Sequence, residues 1–225
     1  MNVLVVSAHD DTKSFVAALH NTALGVFDRG QHTVVVSDLY AQQFNPVASS
    51  IDFKTSSGTH ANYMFEQQRA VNTGSGFSPD VDGEMKKVKD ADIIIIHFPL
   101  WWGSSPAILK GWFDRVFAMG FAWNGDRQYN KGLLSGKKVL VTVSVGDPGS
   151  FYSPTGIHRA TVEQHLYGLT HGTLAFCGMD VYKPFVVTNV TAADQDELEK
   201  RIEDYRDMLQ SIDSYNAYIY KHAEA

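Results

Sequence analysis

The sequence predicts an α/β fold: a doubly wound, five-stranded parallel sheet of order 2-1-3-4-5 with helices on both faces. Three observations carry this. A bare run of four isoleucines, Ile93 to Ile96, reads as a strand buried on both faces, as parallel sheets require. Strand-like and helix-like segments alternate along the chain, the signature of βαβ units. The first strand opens at the N-terminus itself, and five strands arranged in this way suit that order.

The elements follow in turn. Val3 to Ala8 reads as a short buried strand. Ser14 to Arg29 carries apolar residues at helical spacing, with Gly30 as its stop. His32 to Ser37 contains three consecutive valines and forms the second strand. Residues 40–76 are polar and rich in Ser and Gly, and are expected to be a long excursion with one or two short helices. Ser78 caps a helix running to Asp90, and Ile93 to His97 is the third strand. A helix over Pro106 to Met119 starts behind Ser104 or Ser105, because Pro favours the first helical position after a Ser cap. Lys138 to Val145 is the fourth strand, and Ile157 to Gly172 is helical. Phe176 to Val187 carries the fifth strand, interrupted at Pro184, and Ala192 to Ile219 is a terminal helix. No repeat or linker divides the chain, so a single domain spanning 1–225 is expected.

Composition narrows the function. At 225 residues with 44% hydrophobic side chains, the chain can bury a sizeable core. A net charge of −6 argues against nucleic acid or an anionic membrane as the main partner, since both need a basic face. Cys177 is the lone cysteine, so no internal disulfide forms, and its apolar neighbours predict a buried, inert thiol. The N-terminus lacks the basic start and long apolar run of a signal peptide. No run approaches the ~18 apolar residues of a membrane span. A cytoplasmic protein without membrane insertion is expected. The histidines at 20, 32, 60, 97, 165, 171 and 222 show no zinc-like spacing and read as structural or surface residues, so no metal site is expected.

Ligands of open α/β sheets bind in loops beyond the carboxyl ends of the strands. The loop after the third strand, Phe98-Pro-Leu-Trp-Trp-Gly103, offers an aromatic wall suited to a flat ring such as a flavin. The first loop, His9 to Phe15, could bind an anion at a helix start, but on loop chemistry alone capping by Thr12 or Ser14 is the favoured reading. It contains no glycine-rich phosphate fingerprint. The loop after the fourth strand runs from Val145 through Gly146, Asp147 and Tyr152 to His158. There Ser153 and Pro154 predict a helix start, with Tyr152 just before it and His158 about a turn inside. A positive helix end, a phenol and an imidazole would together favour negative charge. Read alone, Tyr152 is a packing aromatic and His158 an ordinary surface histidine.

Taken together, Phe98-Pro-Leu-Trp-Trp, Pro106-Ala-Ile-Leu-Lys-Gly-Trp-Phe-Asp-Arg-Val-Phe, Ala8-His-Asp, Ser37-Asp-Leu-Tyr-Ala, Phe44-Asn-Pro, Gly149-Ser-Phe-Tyr-Ser, Gly156-Ile-His and Phe176-Cys-Gly resemble the NAD(P)H:quinone oxidoreductase family. The similarity runs to about residue 210. It implies a flavodoxin-like fold, tightly bound FAD (FMN being the alternative), and a homodimer with its active site at the interface. It implies two-electron, ping-pong hydride transfer from NADH or NADPH through flavin N5 to a quinone or another aromatic acceptor. His9, Ser14, Phe15 and Val16 would lie along the phosphates and ribityl chain. Pro99, Leu100, Trp101, Trp102 and Gly103 would line the flavin ring, and Ser144, Val145, Gly146, Asp147 and Tyr152 its pyrimidine side. Tyr152 and His158 match the pair that stabilises the reduced ring. Trp123, Gly125 and Phe176 fall at positions of the nicotinamide and quinone pocket. The chain departs from the family pattern at Trp101, Gly103, Gly125 and Asp147. An azo- or nitroreductase, and a regulatory flavoprotein subunit of a cation-efflux transporter, are the alternative readings.

Overall fold

The computed structural model describes residues 1–29, 32–55, 62–215 and 217–221. The strands are β1 (Asn2–Ser7), β2 (Thr33–Asp38), β3 (Ile93–Pro99), β4 (Lys138–Ser144), β5 (Asp180–Tyr182), β6 (Phe185–Val187) and β7 (Tyr218–Tyr220). The helices are α1 (Phe15–Arg29), α2 (Tyr63–Thr73), α3 (Pro79–Asp90), α4 (Ala107–Val116), α5 (Val162–His165), α6 (Tyr167–Leu169) and α7 (Gln195–Gln210). The strand order is β2-β1-β3-β4-β5-β7, and β6 pairs with β4 beyond β5. The order 2-1-3-4-5 is therefore present, with β7 added antiparallel to β5. Pro184 splits the fifth strand into β5 and β6, both parallel to β4.

The isoleucine run shows why both faces are covered. Ile93 and Ile95 pack with Leu19, Phe27, Tyr205 and Leu209 of α1 and α7. Ile94 and Ile96 pack with Val88, Leu109 and Trp112 of α3 and α4. Alternate side chains thus enter separate cores, as the two-residue period of a strand dictates. All four are at most 1% exposed, and each such burial contributes about 1.5–3 kcal/mol.

The 40–76 excursion holds the short helix α2 and is anchored on α4. Buried Arg115 donates to Asp52 at 2.9 Å, Asp80 at 2.7 Å and the Asn45 carbonyl at 2.6 Å. Its guanidinium also lies 4.9 Å from the Phe44 ring centre. Gly111 lets the backbone at Pro46 cross α4 in contact, since any Cβ there would overlap the Pro46 carbonyl. Residues 56–61, which fall in this excursion, and Gly30, His60 and His222 lie outside the described residues.

Four expectations are corrected. Residues 154–161 form turns, and the helix expected there starts only at Val162. The reason is local: Ser153 Oγ accepts the Gly156 N–H at 2.8 Å, and Arg159 takes a φ of 54°, which no right-handed helix allows. Past α5 the chain runs through α6 into a π-helical segment, Thr170–Ala175, which is wider than an α-helix. The terminal helix stops at Gln210, and 218–220 is a strand. Pro106 itself takes the cap position of α4, with no side-chain hydrogen bond from Ser104 or Ser105.

Candidate active site

Strand register decides where the loops meet. Ser7 pairs with His97 and Pro99 with Ser144, so β1, β3 and β4 end together at one edge of the sheet. β2 lies on one side of β1 and β3 on the other, so this edge is the point where the winding reverses. The three loops that leave it form the walls of one cleft.

The first wall is the start of α1. Ser14 Oγ accepts the Ala17 N–H at 3.1 Å and the Ser14 carbonyl accepts the Ala18 N–H at 3.1 Å. The Phe15 and Val16 N–H groups belong to the first turn, which has no partner inside its own helix. His9 Nδ1 accepts the Asp11 N–H at 3.0 Å, so in the neutral ring Nε2 carries the proton and is a donor. Asp10 is 70% exposed, and the Asp11 carboxylate accepts the Lys13 N–H at 2.8 Å. Both carboxylates are thus compatible with an anion in the cleft.

The second wall is Pro99, Leu100 and Trp101, with Leu100 held by its N–H on the Ser144 carbonyl at 2.8 Å. Trp101 and Ser104 then exchange two backbone hydrogen bonds of 3.0 Å. Trp102 at φ 52° and Gly103 at φ 69° close this two-residue turn in the left-handed region, a type I′ pattern. Trp102 stands fully exposed at its tip, 104% of the reference area.

The third wall follows β4. Tyr152 stacks on His158 with ring centres 4.3 Å apart and planes 25° apart. His158 Nε2 is 3.5 Å from Asp147 Oδ2. Burial, with the Asp147 charge adding to it, raises the Tyr152 pKa, so the phenol keeps its proton and remains a donor. The expected helix dipole behind this pair is missing, because no helix begins at Pro154. What this wall offers a negative charge is therefore side-chain groups alone, the phenol and the imidazole.

Eleven of the fourteen residues expected to hold a cofactor line this single cleft of about 380 Å³. That volume lies within the range of small-molecule sites. Val145 sits behind the wall at 1% exposure, and Trp102 and Gly103 form the turn at its rim. Two further lining residues, Val190 and Thr191, were not expected. Thr191 Oγ1 donates to the Gly146 carbonyl at 2.8 Å, a contact across 45 residues with no local sequence signal. His165, expected to be structural or at the surface, lies edge-on to Tyr152 at 5.7 Å and to His158 at 6.2 Å. The box Thr161-x-x-Gln164, which caps α5, was the available signal for placing it.

The three expected substrate residues do not line the cleft. Trp123 and Phe176 meet at 5.5 Å and line a separate cavity of about 530 Å³ beside Tyr63, Met64, Phe113 and Cys177. Gly125 is exposed on the loop beyond Trp123. Burial pushes the Cys177 thiol up to about 12, as expected of an inert cysteine.

A family described as having the flavodoxin-like fold matches residues 1–209. The chain is similar to human ribosyldihydronicotinamide dehydrogenase [quinone], with 39% identity over 212 residues, covering 93% of this chain and 91% of that one. It is 35% identical over 210 residues to rat NAD(P)H dehydrogenase [quinone] 1, covering 93% and 76% respectively. The crystal structure of a Klebsiella pneumoniae protein assigned as a quinone reductase superposes with a TM-score of 0.91 at 30% identity. That match covers 99% of this chain and 88% of that one.

Proposed function

The chain belongs to the flavodoxin-like fold family and is an oxidoreductase, and from that premise we propose that it is a flavin-dependent NAD(P)H:quinone oxidoreductase. The carrying observation is the meeting of three features in one cleft: the α1 N-terminus, the Pro99–Trp101 wall and the Tyr152 phenol. When bound, a flavin would supply the redox chemistry, two-electron hydride transfer from NADH or NADPH to a quinone in ping-pong order. The residues present fit such a group. His9 Nε2–H and the Phe15 and Val16 amides offer donors and positive potential to a phosphate. Pro99, Leu100 and Trp101 give a flat apolar wall for the ring and exclude water from it. Backbone at Gly146 can approach a ring edge closely. The Tyr152 hydroxyl, which keeps its proton, would be the donor towards an oxygen on that edge, and His158, stacked on the phenol, would support negative charge there. FAD is the reading carried over FMN.

We further propose that the protein acts in the cytoplasm as a single-domain homodimer. Among the described residues no helix is long and apolar enough to cross a membrane. Val47, Ile51, Met64 and Phe65 are each more than half exposed, and Met64 borders the cavity that holds Trp123 and Phe176. A second copy on this face would bring those aromatics toward its partner's cleft and complete the acceptor pocket.

The test is to purify the protein, release its flavin by heat, identify it by chromatography, and measure turnover of menadione with NADH and NADPH. Yellow protein and quinone turnover are expected. Turnover of azo dyes or nitroarenes without quinone would reassign the acceptor. Flavin without turnover, together with co-purification of a membrane transporter, would favour a regulatory subunit. A colourless protein that takes up neither flavin would end the reading.

A further inference from the structure

His165 packs between the two loops that form the second and third walls of the cleft. Its ring closes a three-ring cluster with Tyr152 and His158, both nearly perpendicular to it, at 79° and 87°. Gly103 also abuts the ring: a Cβ there would stand 2.8 Å from His165 Nδ1, closer than real contacts allow. The imidazole therefore fills the space that a side chain at 103 would need. His165 Nε2 is buried without a hydrogen-bond partner among the described residues, so packing holds the ring. The turn above it is tense, because Trp102 carries a bulky side chain at φ 52°. Such a turn persists only when its surroundings hold it.

We propose that His165 is a positioning residue that seats the Trp101–Ser104 turn and so sets where Trp102 stands at the mouth of the cleft, governing how large an acceptor enters. This rests on the quinone reductase reading for its consequence, but the seating itself does not. Gly103 lies at φ 69°, where any side chain is strained, and the His165 ring adds a separate steric bar to a side chain at 103. His165 also links this turn to the Tyr152–His158 wall, so the rim and the donor pair share one support.

The test is a double-mutant cycle of Gly103→Ala and His165→Ala, read in two ways. Protein labelled with 5-fluorotryptophan gives fluorine signals from its four tryptophans, with Trp102 assigned by Trp102→Phe. In flavin-free protein the Trp102 signal, with that of Trp101 in the same turn, should shift or broaden in each single variant, while the Trp112 and Trp123 signals hold. In flavin-loaded protein Gly103→Ala should raise the KM for menadione about tenfold, with a much smaller change in kcat, and only about twofold in the His165→Ala background. Single-ring benzoquinone should be affected less than menadione. If Gly103→Ala does not fold, the fluorine spectrum and KM ratio of His165→Ala alone decide. An unmoved Trp102 signal in His165→Ala, or equal effects of Gly103→Ala in both backgrounds, overturns the proposal. A wild-type protein that binds no flavin would sink the functional reading, yet leave the fluorine result standing.

Discussion

Tyr152 is built to hold a proton in place. Burial and the Asp147 charge raise its pKa, so at neutral pH the hydroxyl is a donor. With no helix end behind them, Tyr152 and His158 are the groups proposed to stabilise a reduced flavin ring. One preorganised donor of this kind is worth up to ~3–4 kcal/mol of barrier, so Tyr152→Phe or His158→Gln should slow flavin reduction roughly ten- to several-hundredfold. Stopped-flow reduction at wild-type rates in both variants would remove the role. A second residue-scale prediction concerns His97, buried in the sheet and 2.8 Å from the Tyr205 hydroxyl. Burial, and then the nearby His20, hold its pKa down to about 3, against 6.5 when unfolded. The folded state keeps this ring neutral, so its contribution is full above pH 6.5 and is lost as pH falls towards 3. By pH 5 the loss from this one group is about 2 kcal/mol. Urea unfolding at pH 7 and pH 5 should show the drop, and His97→Asn should shrink the difference by that amount. Unchanged pH dependence in the variant would contradict it. Individual residues were legible in the sequence only where a motif named them; the ring stack and the His165 contacts come from loop geometry that no local pattern encodes.

At the scale of elements, the Arg115 network stitches the 40–76 excursion to the sheet. Removing the arginine leaves Asp52 buried at 0% exposure without its countercharge. Arg115→Met should therefore cost roughly 3–5 kcal/mol and expose the excursion to proteases. A variant as stable and resistant as the wild type would show that the anchor lies elsewhere. Elements with strong periodicity were legible: the isoleucine strand, α1, and α3 with its Ser78–Pro79 start all appear. Ser153–Pro154 carried the same start signal and failed, because the Ser153 hydroxyl caps a turn and Gly156 packs its backbone on the Phe151 carbonyl. The terminal helix was read too long because β7 has three residues, too few for a clear alternation. Its pairing with β5 is a tertiary contact that the local sequence does not reveal.

For the whole molecule, the sheet order was legible, since alternating elements and short connections leave few topologies. The position of the cleft followed from that order. The place of Trp123 and Phe176 did not, because they line a separate cavity whose walls come from segments far apart in the chain. Phe65→Asp, at a position 63% exposed, should convert dimer to monomer in sedimentation and reduce quinone turnover at least tenfold, while flavin stays bound. A dimer of unchanged strength would move the interface elsewhere. The central claim is that the His9–Pro99–Tyr152 cleft holds a flavin that cycles between NAD(P)H and a quinone. Anaerobic titration of the purified protein tests it most directly. NADH or NADPH should bleach the yellow flavin band, and one equivalent of menadione should restore it. A band that neither cofactor bleaches, or protein that binds no flavin at all, would contradict the account.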